Sequence, residues 1–160
     1  TPLMCAVSQG NKQVAQLLLG ARANVNAQTE NGWTPLHYAI NGGRTNETSR
    51  SIVTMLLDKG ADPRMETRKG VTPLHHAALG GDDAAVKLLL DIGADARAKT
   101  NAGEPLLHFF LRQESELVHF VLDKVAQAKG IKGMTPLEFA ALGWEANRSK
   151  IFFVSVGVLD

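Results

Sequence analysis

An all-α solenoid of about five stacked helix-turn-helix units is the fold class this sequence predicts, and three observations predict it. The tripeptide Thr-Pro-Leu stands at Thr1, Thr34, Thr72 and Thr135, with Pro105-Leu106-Leu107-His108 as a degenerate copy. Starts at 1, 34, 72, 105 and 135 are spaced by 33, 38, 33 and 30 residues, a period that belongs to repeat architectures. An apolar run follows each start: Leu17-Leu18-Leu19, Met55-Leu56-Leu57, Leu88-Leu89-Leu90, Phe120-Val121-Leu122 and Ile151-Phe152-Phe153. The 160 residues therefore read as one domain, with repeats at about 1–33, 34–71, 72–104, 105–134 and 135–160.

The third repeat shows why each element forms. Thr72 offers a hydroxyl to the free amides of a first helix, and Pro73 suits the first helical position, where its missing N–H is no loss. Ala77 and Ala78 are small enough for paired helices to approach to about 8–10 Å. Gly81 ends that helix, and Asp82 and Asp83 suit the start of the next, where the helix dipole favours acids. Ala85, Val86, Leu88, Leu89 and Leu90 give the second helix its apolar face; Gly93 can take the left-handed conformation that stops it. The polar stretch Arg97 to Gly103 reads as a hairpin finger leading to the next unit. No single unit can bury its own faces, so stability comes from stacking.

Thr72 to Ala78 reads Thr-Pro-Leu-His-His-Ala-Ala, and Thr34 to Ala39 reads Thr-Pro-Leu-His-Tyr-Ala. In these residues the chain resembles the ankyrin-repeat family, over its whole length, with the last unit lacking its finger. The resemblance implies an ankyrin-repeat solenoid with short β-hairpin fingers. It further implies recognition of other proteins through a concave groove lined by the first helices and the finger tips.

Departures from the pattern carry their own expectations. The second unit has five extra residues, placed as a solvated loop over Arg44 to Ser49 because that stretch is rich in polar residues. The fourth unit has Phe110-Leu111 where two alanines are expected, and Val125 where glycine should end the helix. Its second helix is accordingly expected to run to about Lys129 and stop at Gly130. Thr1 begins directly at a helix, and Ile151 to Val156 is apolar on more than one face. Both ends thus suggest a piece of something larger, or an end that packs on another surface.

Composition excludes several functions. A formal net charge of +1 is too weak for a dedicated nucleic-acid binder, and no apolar run is long enough to span a membrane. A lone cysteine, Cys5, rules out an internal disulfide and fits a reducing compartment, so an intracellular location, cytoplasmic or nuclear, is expected. His37, His75 and His108 occupy one position in successive repeats, with Met4 and Glu138 there in the outer two. Rings one helix spacing apart, about 10 Å, cannot share a zinc ion that needs ligands at about 2.0–2.1 Å. Each imidazole is instead expected to bond to nearby backbone. His76 and His119 stand isolated in the pattern. No nucleophile elbow, phosphate loop or His-Glu-x-x-His motif occurs, so neither an enzyme nor a metal or other cofactor is expected.

Carried across position by position, the resemblance places the residue before each Thr-Pro-Leu toward the groove: Trp33, Val71, Glu104 and Met134. The first helices add Tyr38, Asn41, His76, Leu79, Phe109, Arg112, Phe139, Leu142 and Trp144, with Phe109 and Phe139 also suited to refilling the core. Aromatic side chains, Met and Arg are the types enriched at interface cores. Trp33, Tyr38, Val71 and His76 form the expected centre of contact, although Trp33 could equally serve to cover Tyr38 and the adjacent finger. Residues 1–80 hold eight Lys/Arg against five Asp/Glu, and residues 81–160 nine against eleven. Arg64, Arg68 and Lys69 fall on one finger of the positive half, with Arg68 and Lys69 at the rim of the contact. That tip could meet a partner with an acidic segment. The expected function is a protein–protein interaction module, an adaptor, scaffold or targeting segment. The alternative is a regulatory array of a larger enzyme, channel or secreted effector that packs on its own chain.

Overall fold

The first three hairpins begin where a threonine hydroxyl meets the free amides of a first helix. Thr1 Oγ1 accepts from the Met4 amide at 3.3 Å, Thr34 Oγ1 from His37 at 3.4 Å and Thr72 Oγ1 from His75 at 3.4 Å. The prolines that follow open α1 (Pro2–Ser8), α3 (Pro35–Asn41) and α5 (Pro73–Gly80). Second helices start at side-chain caps of the same kind. Asn11 accepts from the Val14 amide at 3.2 Å to open α2 (Lys12–Gly20), and Asp82 from Ala85 at 3.1 Å to open α6 (Asp83–Asp91). Gly81, at φ +65°, ends α5 as expected, and Gly93 follows α6 at φ +92°. Arg22 holds the corresponding left-handed position after α2 at φ +64°, the one non-glycine among the described residues to do so.

The computed structural model describes residues 1–41, 47–111, 120, 121 and 124, and of 107, 108 and 111 the backbone alone. Two compact units are present, Thr1–Ser115 and Glu116–Asp160. In the second, the Lys124 ammonium lies 5.4 Å from the centre of the Phe120 ring. The expected helix end at Lys129 and Gly130, the fifth repeat and its Ile151 to Val156 segment lie outside the described residues, as does His119.

All the described helices lie in the first unit, completed by α4 (Glu47–Asp58) and α7 (Leu106–Leu111). α1, α3, α5 and α7 pack in sequence against one another, and α2, α4 and α6 form a looser second row. Alanine makes the close first row possible: Ala6, Ala39 and Ala77, equivalent in register, are all buried. In α7 the equivalent residue is Phe110, and its ring is buried too. Leu36, Leu56, Leu74 and Leu89 are 0–1% exposed, each contributing about 1.5–3 kcal/mol by burial. The second row is tied by polar contacts, Lys12 Nζ to Ser51 Oγ and Arg50 to Asp82 at 4.0 Å.

The loop expected over Arg44 to Ser49 is shorter than that. Glu47, Thr48 and Ser49 form the first turn of α4, which has 12 residues where α2 and α6 have nine. An acid in the first turn favours the helical start, and Ile52, Val53 and Leu56 anchor the helix from the buried side. Residues 42–46 lie outside the description.

The expected β-hairpin fingers are tight turns. Thr29 N–H donates to the Trp33 carbonyl at 2.9 Å and Gly32 N–H to the Thr29 carbonyl at 2.8 Å. The same pair of bonds closes Thr67–Val71 and Thr100–Glu104. Among the described residues no strand forms; the one ladder element is an isolated antiparallel bridge between Lys99 and Pro105. Turn stacks on turn: Arg68 N–H donates to the Asn31 carbonyl and Asn101 N–H to the Lys69 carbonyl, both at 2.9 Å. Glycine is required at this contact. A Cβ on Gly32 (φ +80°) would lie 2.9 Å from Thr67 Cα, and one on Gly70 (φ +72°) 2.5 Å from Asn101 Oδ1.

Candidate functional site

The first-row helices and the turns before them build one face, and its geometry starts with the buried histidines. His37 Nδ1 accepts from the Thr34 amide at 3.2 Å and lies 2.8 Å from Thr34 Oγ1. On its far side Nε2 donates to the Val71 carbonyl at 3.1 Å. This network assigns the neutral tautomer with its proton on Nε2. His75 repeats the Nδ1 contacts to Thr72 at 3.2 and 2.8 Å, but its Nε2 has no hydrogen bond. The expected bonding of each imidazole to nearby backbone therefore holds fully at His37 and on one side at His75; the His108 side chain lies outside the described residues. Burial pushes the pKa of both rings down to about 4. The nearby His76 contributes to both of these low values. The Val71 carbonyl opposes the fall at His37; at His75 the opposition comes from the Ala98 carbonyl, which is near but not placed for a hydrogen bond, and from Glu104.

His76, isolated in the sequence pattern, is not isolated in space. Its ring centre lies 4.7 Å from Trp33 and 5.7 Å from His37, the latter edge-on. Trp33 also packs at 5.1 Å on Tyr38 and at 5.9 Å on His37. Four rings, Trp33, His37, Tyr38 and His76, thus form one cluster that joins successive repeats, each tilted or edge-on pair adding about 0.5–1.5 kcal/mol beyond area burial. The cluster holds His76 half-buried with its Nε2 unbonded, and burial lowers its pKa. From the fourth repeat, Phe109 of α7 sets its ring edge-on to His75 of the third at 5.1 Å.

Around the cluster the expected residues fall as follows. Trp33, Tyr38 and the exposed Asn41 line a shallow depression together with Thr29, Glu30 and Asn31. Val71 is half-buried, and Leu79 is 42% exposed at the end of α5. Arg68 and Lys69 are exposed in the second turn, and Glu104 is exposed at the base of the third. Arg112 and Met134 lie outside the described residues, as do Phe139, Leu142 and Trp144. Arg64 does not join Arg68 and Lys69. Its Nε donates to the Gly93 carbonyl at 3.2 Å, because the free carbonyls at the end of α6 attract a cation. The three-charge tip is therefore a two-charge tip.

Sequence reasoning passed over Glu30 and Asn31. The signal was available in register: 30 and 31 correspond to 68 and 69, so the acid stands where the next repeat has its arginine. Among the described residues no three His, Cys, Asp or Glu side chains gather to hold a metal ion, and no helix is long and apolar enough to cross a membrane. Cys5 is exposed.

A family model described as ankyrin repeats in three copies matches residues 1–67, 43–123 and 74–151. No curated protein matches the sequence. With family matches spanning nearly the whole chain, and the capped helical hairpin recurring in register, the protein belongs to the ankyrin-repeat family, whose repeats are generally protein–protein interaction modules and typically not enzymes.

Proposed function

We propose that the array binds a partner protein through the face made by α3, α5 and the turns before them, serving as an adaptor, scaffold or targeting segment in the cytoplasm or nucleus. One observation carries the reading: Trp33, Tyr38 and His76 are already packed together, Trp33 4.7 Å from His76 and 5.1 Å from Tyr38, and Trp33 and Tyr38 line an open depression. Rigid aromatic anchors lose little freedom on binding, so a preformed cluster avoids part of the ordering cost of association. Arg68 and Lys69 supply a positive rim for an acidic segment of the partner and raise the rate of encounter.

The test is affinity capture with the 160-residue chain, comparing Trp33→Ala/Tyr38→Ala with Leu17→Ala, which removes an exposed leucine from α2. A partner held by the parent and by Leu17→Ala but bound about 30-fold more weakly by the double variant supports the face, that loss being a hot-spot effect of about 2 kcal/mol. Equal binding by all three chains would overturn it.

A further inference from the structure

We infer that the partner segment crossing this face is an extended peptide bearing a cationic side chain and a carboxylate about three residues apart, the cation against Trp33, Tyr38 and Glu30 and the carboxylate against Arg68 and Lys69. The inference rests on the protein-binding reading of the face and gives its ligand a chemistry.

Equivalent positions in neighbouring repeats differ in charge and polarity, with an acid in one answered by a base in the next. Glu30 corresponds to Arg68, Asn31 to Lys69, Trp33 to Val71, Tyr38 to His76 and Asn41 to Leu79. The first set is acidic and aromatic, and the second is basic and apolar. These charges are not spent on each other. Glu30, Arg68 and Lys69 stay exposed and form no ion pair with one another, whereas Arg50 pairs with Asp82 in the second row of helices.

Each half fits a different group. Trp33 and Tyr38, tilted at 49° with ring centres 5.1 Å apart, put two π-systems beside the Glu30 carboxylate in one depression. A lysine or arginine side chain is attracted by both the ring quadrupoles and the acid, and its methylene stem covers apolar surface. One repeat on, Val71 and Leu79 offer an apolar floor, and Arg68 with Lys69 offers the donors a carboxylate needs.

The spacing follows from the stacking. The turns stack directly, Arg68 N–H bonding the Asn31 carbonyl at 2.9 Å, and the two half-sites occupy equivalent positions of stacked repeats, so they repeat at about one helix spacing, 8–10 Å. A polyproline-II segment advances about 3.1 Å per residue and returns to the same side every third residue. Side chains at i and i+3 therefore point to one side about 9 Å apart, matching the half-sites. A β-strand, whose same-side residues recur every second position, places them about 7 Å apart and fits less well.

The deciding experiment is phage display of random dodecapeptides on the immobilised chain, on Glu30→Lys and on Arg68→Glu/Lys69→Glu. All three substituted side chains are exposed, and circular dichroism checks that the variants fold. The parent should enrich peptides with Lys or Arg and Asp or Glu three positions apart, in either order. Glu30→Lys should replace the basic residue by an acid, and the double variant should replace the acid by a base. A selected peptide should bind the mismatched variant about tenfold more weakly by fluorescence anisotropy. Peptides lacking the charge pair, or keeping one pattern on all three chains, would overturn this inference and leave the binding face standing. Enrichment on none of them would overturn the face as a peptide-docking surface, and the inference with it.

Discussion

In the second repeat Thr34 and His37 make three cap contacts, at 3.2, 2.8 and 3.4 Å; in the third, Thr72 and His75 make the same three at the same distances. Around that shared frame the exposed and half-buried residues of the face change completely, from Glu30, Trp33, Tyr38 and Asn41 to Arg68, Val71, His76 and Leu79. Stacking fixes the frame, because each cap must present the same surface to both neighbours. Outside the caps fewer contacts constrain the residues, Trp33 on His76 being the exception, so the outer face is freer to take up binding chemistry. One buried difference remains: His37 reaches the Val71 carbonyl, and His75 has no such partner. The next repeat departs from the pattern at the same place: Pro105 stands where a threonine would cap, and the Leu106 amide bonds the Ala98 carbonyl at 3.1 Å.

The turns give the largest test of the shared frame. Gly70→Ala puts a methyl against Asn101 at a positive φ, and should cost about 2–4 kcal/mol from crowding plus left-handed strain. Gly32→Ala, pressed on Thr67, should behave similarly. Gly103→Ala, whose Cβ would meet nothing within 4 Å, should cost only the strain of about 1 kcal/mol. Urea denaturation of the three variants checks the order; equal losses would mean that turn-on-turn contact contributes nothing.

The histidine difference gives a smaller effect. His37→Ala should destabilise by about 1 kcal/mol more than His75→Ala, the worth of the extra bond to Val71. Acid should expose both rings together. Unfolded imidazoles titrate near 6.5 and the folded ones near about 4. Between those values the unfolded chain binds more protons, so stability rises with pH through the window and is lost as pH falls from 6.5 towards 4. Protonated Nδ1 would also face the Thr34 or Thr72 amide, donor against donor. Urea midpoints across this window should show a shallower slope for His37→Gln/His75→Gln than for the parent; an unchanged slope would mean that the rings are not held neutral.

The smallest effect is expected on the outer face. Glu30→Lys and Lys69→Glu should leave stability within about 0.5 kcal/mol, as exposed substitutions do, while changing what the chain binds. A larger loss of melting temperature would show that the face is part of the frame.

Much of this was legible along the chain. Thr72, Pro73, Gly81, Asp82 and Gly93 act where their local chemistry says, because a cap or a helix stop involves residues three or four apart. The start of α4 was misread because polar residues such as Glu47, Thr48 and Ser49 suit a solvated loop and an exposed first helical turn equally well. Arg64 was misplaced because its partner, the Gly93 carbonyl, is 29 residues away.

The repeat, its caps, its buried leucines and its family were determined by the sequence itself, since periodicity and capping depend on near neighbours. Only the tertiary structure decided that His76 packs on Trp33, that Arg64 leaves the finger tip, and that an acidic-aromatic patch adjoins a basic one. Those pairings join residues one repeat apart, and stacking register, a property of whole helices packed side by side, brings them together.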